Sequence, residues 1–375
     1  MSFNPIKDKL PPNLFLRNKF LRNKFPFFSS QNSDGLNMAY LDSAATAQKP
    51  EEVINFITDF YSNKNASVHR GIYELAENVS NEFESVRGKV AKFINTKFSE
   101  EIIFNSGTTA GINFIADAWG RNEIGPGDNI LITQAEHHSN LLPWQRLAKR
   151  TGATLSFIPI NNKTFLLDFD ESLITKNTKL VAITHSSNVL DYVWKEGDLE
   201  RLIKKAHSVG AKVLLDGAQS VAHQKVDLQK LDVDFFVFSS HKIAGPTGAG
   251  VLFIKKELHN QVEPYQVGGG MVQSVSISGD SVWLKAPNKF EAGTPPIAQV
   301  IGLGKAIDFF ESNINFDDLK NHEAKLCSEL IDFLSNQDGV KILGNKETLS
   351  EKGHVVSCEL SDVHAHDMAA KLGES

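Results

Sequence analysis

The sequence predicts an α/β protein built on a mainly parallel seven-stranded sheet with helices on both faces, followed by a smaller α/β unit. Three observations lead there. Between Glu51 and Ile254, short apolar runs alternate with helical patterns, as they do when parallel strands are joined by helical crossovers. Several of those runs are apolar throughout, which suits strands covered on both faces. The residues just after five of the runs are small or polar, and a parallel sheet gathers such strand ends on one rim, where ligands bind.

The elements follow in order. A leader is expected over 1–30, where FLRNKFLRNKF (Phe15 to Phe25) repeats a five-residue unit. The repeat is basic and aromatic, a pattern open to a membrane-surface or targeting reading. It has no continuous apolar core, and the plainer reading is a local duplication in a solvated leader. LNMAYLDSAATAQKP then gives a short strand and a turn. EEVINFITDFYSNKN carries Val53, Ile54, Ile57 and Phe60 at helical spacing, and ELAENVSNEFESVRGKVAKFIN is a longer amphipathic helix. Strands are expected at 101–104, 129–133, 154–158, 180–184, 212–215, 235–238 and 251–254. Helical patterns lie between several of them, notably 109–119, 141–151 and 198–209. From about Ile307 the text becomes more helical. This divides the chain into a large domain, 31–306, and a small C-terminal domain, 307–375.

Composition excludes several classes. A chain of 375 residues with 41% hydrophobic and 22% charged residues is an ordinary globular protein of more than one core. A net charge of −6 argues against a nucleic-acid binder. No apolar run approaches the roughly 18 residues that span a bilayer. Two cysteines, Cys327 and Cys358, make no disulfide framework and fit a reducing compartment such as the cytoplasm.

The strand ends carry the chemistry. NSGTTAG places Gly107, Thr108 and Thr109 at a strand-to-helix junction, where free N–H groups and the helix dipole suit an anion; a plain helix cap by either threonine is the alternative. LLDGAQS ends a buried strand with Asp216, a carboxylate that needs a cation, such as a protonated pyridine nitrogen, unless it merely caps the next segment. FSSHKIAGPTGAG sets Lys242 among small residues just after a buried strand. A desolvated lysine amine there suits Schiff-base chemistry with an aldehyde. Anion site, buried aspartate and lysine are together what pyridoxal 5'-phosphate requires. His137, in QAEHHSN at the same rim, could stack on its ring and shuttle protons.

At this point the sequence resembles a known family. YLDSAATAQKP, SVHRGIYELA, FNSGTTAGIN, GDNILITQAEHHSNLLPWQ, ITHSSNVL, LLDGAQSV, FSSHKIAGPTGAGVLF and FEAGTPP follow, in order, the pattern of the SUF-type (group II) cysteine desulfurases. These are fold type I pyridoxal-phosphate enzymes of aminotransferase class V. The resemblance implies that Lys242 carries the cofactor and Asp216 pairs the pyridine nitrogen. Gln219 reaches the ring oxygen, and His137 stacks on the ring and takes part in proton transfer. Thr109, Ser239 and His241 hold the phosphate with Thr108 nearby, and Thr294 reaches the partner subunit's phosphate in a homodimer. Asn188 lies near cofactor and substrate carboxylate, and His69 lines the substrate pocket. The implied reaction turns L-cysteine (or L-selenocysteine) into L-alanine and passes sulfur as a persulfide to an acceptor protein for iron–sulfur cluster assembly.

The pattern also breaks. Family members continue past the segment HAHDMAAKLGES with a loop arginine, a Gly-His-His-Cys run whose cysteine attacks the substrate sulfur, and a carboxylate-binding arginine. This sequence stops at Ser375, so a truncated small domain and weak turnover are expected, or a non-catalytic remnant. Cys327, in a helix, and Cys358, in a strand pattern, read as buried small apolar residues. Asp191 stands where the family has glycine, and aspartate tolerates a left-handed backbone. Ala110 stands where relatives often carry glutamate. His364 and His366 read as solvated, so no metal is expected. A different class V chemistry, such as that of a selenocysteine lyase, a kynureninase-like hydrolase or an epimerase, is the second reading.

Overall fold

Seven strands form the central sheet of the computed structural model, which describes residues 20–30 and 39–373. They are β1 (Ile102–Asn105), β2 (Asn129–Thr133), β3 (Thr154–Ile158), β4 (Thr178–Thr184), β5 (Lys212–Asp216), β6 (Phe235–Ser239) and β7 (Gly250–Ile254). Their order across the sheet is β1-β7-β6-β5-β4-β2-β3. Pairings from β3 to β6 are parallel, while β7 runs antiparallel to both β1 and β6. The seven strands expected for this sheet are all present, most of them one or two residues longer, whereas the short strand expected in LNMAYLDSAATAQKP is not seen: 39–42 form no strand and a turn follows at 43–45. Within the sheet, the antiparallel β7 is the departure. Only 240–249 separate it from β6, and a parallel crossover needs about a dozen residues or more.

The uniformly apolar strands are explained by a core on each face. Phe236 and Phe238 of β6 join one core, while Phe235 and Val237 join the other. All four are fully buried, each burial contributing roughly 1.5–3 kcal/mol. The first core is closed by α1 (Glu51–Asp59), α2 (Glu74–Phe93), α5 (Asp198–Ser208) and α7 (Ile297–Asn313); the second by α3 (Thr108–Ile115) and α4 (Leu142–Thr151). Helix α4 stops where Gly152 turns left-handed, φ 75°, a conformation glycine adopts without strain. Between β5 and β6 lies the short α6 (Ser220–His223).

Helix α7 runs unbroken past residue 307, and Ile307 is buried in the first core. After it, α8 (Phe316–Ser335) starts at Asn315, whose side chain accepts the N–H groups of Asp317 and Asp318. A two-stranded ribbon, β8 (Val272–Ser274) with β9 (Val282–Trp283), precedes these helices; a second, antiparallel pair, β10 (Val340–Leu343) with β11 (Ser357–Leu360), follows them. Helices α9 (Lys346–Lys352) and α10 (Ala365–Gly373) complete the described chain. Ile331, Ile342 and Leu349 form a small third core here.

Two expectations need correction. Cys327 is buried, as expected, but Cys358 is exposed: α8 packs on β10, the strand that pairs with β11. Residues 1–19 of the leader, with the first copy of the repeat, lie outside the described residues. The second copy is not merely solvated. Phe25 meets Phe309 edge to face at 5.5 Å, and the Lys24 carbonyl accepts the N–H of Glu51 at the start of α1. Asp191 does adopt the glycine-like backbone expected of it, with φ 61°. Among the described residues, no helix is long and apolar enough to cross a membrane.

Candidate active site

The carboxyl ends of β1, β2, β4, β5 and β6 surround a cavity of about 470 Å³. Thr108, Thr109, His137, Asn188, Asp216, Gln219, Ser239, His241 and Lys242 all line it. These are nine of the eleven residues singled out from the sequence. The other two, His69 and Thr294, lie together in a second cavity of about 390 Å³. His69 is turned away by its own contacts: Nε2 sits 2.9 Å from Glu84 Oε1 on α2, and the ring meets Phe83 edge to face.

The floor of the main cavity is built by the ends of β1 and β6. Ser239 Oγ accepts the N–H of Thr108 at 2.9 Å and lies 2.9 Å from Thr108 Oγ1, which ties the start of α3 to the end of β6. Gly107 precedes the helix with φ 142°, and its N–H is taken by Asn105 Oδ1. Gly250, opposite Asn105 in the register, has no room for a side chain: a Cβ there would collide with Gly107 Cα and stand 2.7 Å from Gly107 N. The glycines thus allow two backbones to meet under a helix N-terminus, an arrangement suited to an anion.

Opposite this cradle lie the titratable groups. Asp216 is 4% exposed, and its Oδ1 accepts the N–H of Ala218 at 2.9 Å. Burial lifts its carboxyl to about 6, although the charge of Lys242 pulls the other way. Burial lowers the Lys242 amine, opposed by Asp216, and so raises the share of free base at neutral pH. Lys242 Nζ donates to the carbonyl of Ala44 at 3.0 Å, which also accepts from Gln219 Nε2 at 2.9 Å. His137 Nδ1 accepts the N–H of Ser139 at 3.1 Å, which leaves Nε2 to carry the proton of the neutral ring. Desolvation, then the charges of Lys242 and His138, hold that ring below the usual histidine range.

Several contributors were not foreseen. Ala44 takes part only through its carbonyl, so its side chain carries no signal. Lys49 points to the carbonyls of Ala47 and His241 and lashes the DSAAT turn to the lysine loop; burial brings it down to about 8. Glu136 takes donors from Thr133 Oγ1, Asn140 Nδ2 and the N–H of Thr184, joining the ends of β2 and β4, while burial pushes its carboxyl up to about 8. An acid directly before the histidine pair, just past a strand end, was the available signal.

Comparison with known proteins gives the family. Residues 39–375 match the family model described as aminotransferase class-V, the class that the sheet and its rim cavity define. The chain is 44% identical over 353 residues to a probable cysteine desulfurase of Halalkalibacterium halodurans, covering 94% of this chain and 84% of that protein. A cysteine desulfurase of Escherichia coli O7:K1 is 43% identical, with 94% and 85% covered. The crystal structure of the Escherichia coli cysteine desulfurase CsdA superposes with a TM-score of 0.83 at 35% identity, covering 100% of this chain and 87% of that one. The apo cysteine desulfurase of Thermococcus onnurineus NA1 gives 0.85 at 36%, covering 95% and 85%. Within the class V aminotransferases, this chain belongs to the cysteine desulfurase family.

Proposed function

We propose that the chain acts on L-cysteine as a pyridoxal-phosphate-dependent desulfurase. The observation that carries this reading is the convergence of Lys242, Asp216 and His137 with the Thr108–Ser239 cradle in one cavity. The residues fit the cofactor. Asp216 is a buried carboxylate that burial raises against the pull of Lys242, and a pyridinium nitrogen would favour its charged form. The glycine cradle and α3 N-terminus, with Thr109, Ser239 and His241, would hold a phosphate. Gln219 would meet the ring oxygen and Asn188 the substrate carboxylate.

When bound, pyridoxal phosphate supplies an electron sink for bond cleavage next to the substrate amine. The protein supplies the rest. The unprotonated Lys242 amine is the nucleophile that attaches an aldehyde and the base that can move a proton. His137 Nε2 holds a proton at the cavity mouth, its tautomer set by Ser139. Asp216 keeps its charge where a cation is wanted. The balanced reaction is L-cysteine plus a protein thiol giving L-alanine plus a persulfide: the substrate C–S bond breaks, an S–S bond forms, and the thiol proton is retained in the products. Neither Cys327 nor Cys358 lines the cavity, which favours an accepting thiol other than these two.

A homodimer belongs to the same reading. His69 and Thr294 share a second cavity, and strongly exposed apolar side chains adjoin both: Leu41 beside Asp42, and Ile72 and Val267 flanking the second. A second copy covering these would bring Thr294 to its partner's phosphate. A protein acceptor of the sulfur is expected, and a cytoplasmic site of action fits the two free cysteines.

The test is covalent mapping. Folded protein is loaded with pyridoxal phosphate, reduced with borohydride and digested. A pyridoxyl mass on Lys242, absent in Lys242→Ala, is expected. Folded protein that takes up no cofactor, or carries it on another lysine, refutes the reading.

A further inference from the structure

Behind the cavity, the loop after β4, helix α6 and the smaller C-terminal unit meet at a cluster that the proposed chemistry does not use. His223 ends α6, Glu323 lies on α8, and His354 precedes β11. His223 Nδ1 is 2.7 Å from Glu323 Oε1. The His354 ring stacks on that of His223, with centroids 3.7 Å apart and planes 12° apart. One ligand atom from each of the three lies within 4.8 Å of the others, the one such group among the described residues. Asp191 closes the cluster from behind. Its Oδ1 is 3.0 Å from His354 Nδ1, and its Oδ2 accepts the N–H groups of His354 and Val355.

His354 is the informative member. Its side chain is 2% exposed, yet neither ring nitrogen makes a hydrogen bond, since the Asp191 oxygen is close to Nδ1 without being aligned with it. A buried polar group left unsatisfied costs about 1–3 kcal/mol, and such an orphan calls for a water or an ion. Two imidazoles and one carboxylate form the ligand set of zinc-like ions, with water in the fourth place. Calcium and magnesium prefer oxygen alone. A carboxylate behind a ligating histidine is the usual outer partner, and Asp191 stands there. Cys327, one turn along α8 from Glu323, has its thiol pushed up to about 12 by burial and by the charges of Asp191 and Glu323, and remains a neutral neighbour.

We propose that His223, Glu323 and His354 bind one divalent transition ion of the zinc class, pinning the C-terminal unit to α6 and to the Asp191 loop. Ligand atoms around such an ion stand roughly 3.3 Å apart, so binding opens the imidazole stack and turns both rings toward a common point. Ser186 and Asn188 of that loop line the active-site cavity, and Ser186 Oγ donates to Asp191 Oδ1 at 3.2 Å. The ion therefore steadies one wall of the cavity from outside it.

The full chain, treated with a chelator and dialysed, is titrated with zinc chloride by calorimetry and with cobalt(II) by absorbance. One zinc per chain, a rise in thermal midpoint on zinc addition, and the intense visible bands of four-coordinate cobalt are expected. His354→Ala and Glu323→Gln should each weaken zinc at least ten-fold. The double variant His364→Ala/His366→Ala, in an exposed pair near the chain end, should bind as the unaltered protein does. No saturable binding at micromolar zinc overturns the proposal. So does binding that survives His354→Ala or disappears with His364 and His366. If His354→Ala does not fold, the unaltered chain decides: weak six-coordinate cobalt bands overturn the site, and four-coordinate bands support it.

Discussion

Asp216 accepts the N–H of Ala218, and burial holds its carboxyl near 6. Its folded range thus lies above its ordinary value of 3.8, so the folded state binds the proton more tightly than the unfolded state does. Stability is lost as pH rises from about 3.8 to 6, by roughly 3 kcal/mol. An asparagine amide in the same place has no such titration and keeps an oxygen for the N–H of Ala218. In cofactor-free protein, Asp216→Asn should therefore be more stable than the unaltered chain above pH 7, by up to about 3 kcal/mol, and nearly equal to it at pH 4. Urea unfolding across that range checks this; a variant less stable at pH 8 than the unaltered protein contradicts it. With cofactor bound the order should reverse. At this scale the sequence was informative where a side chain carries the chemistry: Lys242, Asp216 and His137 announced themselves at strand ends. It was silent where a main-chain carbonyl does, as at Ala44. Cys358 misled because a strand pattern does not say whether the strand will be covered by other elements.

At the scale of elements, the antiparallel β7 brings Gly250 against Gly107. Gly250→Ala should push the Gly107 loop away and spoil the anion cradle while both cores stay intact. Cofactor affinity is expected to fall at least ten-fold, with overpacking costing about 1–3 kcal/mol of stability. Titration of the apo-protein with pyridoxal phosphate, beside a urea curve, separates the two effects; unchanged affinity would show that the cradle does not need this contact. The direction of β7 was not legible in its apolar text, which reads alike in either orientation. The short connection 240–249, without a helical pattern, held the only hint. The boundary of the small unit was blurred for a related reason. Helix α7 presents buried apolar residues on most of its surface, and nothing marks residue 307 as a break.

For the whole molecule, the separation of Thr294 and His69 from the cavity that holds Lys242 makes assembly a quantitative matter. Cofactor-loaded protein should sediment at about twice 41.4 kDa. Thr294→Ala should weaken cofactor binding without changing that mass. A loaded monomer with undiminished affinity would mean that one chain suffices. The large sheet, its two cores and the rim of polar strand ends could be foreseen from periodicity, since each rests on local pattern. The distribution of site residues between two cavities could not, because it depends on how loops from distant parts of the chain are turned.

The pairing of β1 with β7 also sets a timetable. In the sheet order, β1 is an edge strand whose neighbour is β7, so Ile102–Asn105 must wait for Gly250–Ile254 before it has a strand beside it. At bacterial or eukaryotic synthesis rates that interval is roughly 7–30 s. Until then a nascent chain holds an apolar strand with an open edge and half of an anion cradle. Chaperone demand during translation should therefore peak in this window, and a ribosome-bound chain should become able to retain the cofactor only after β7 has left the exit tunnel.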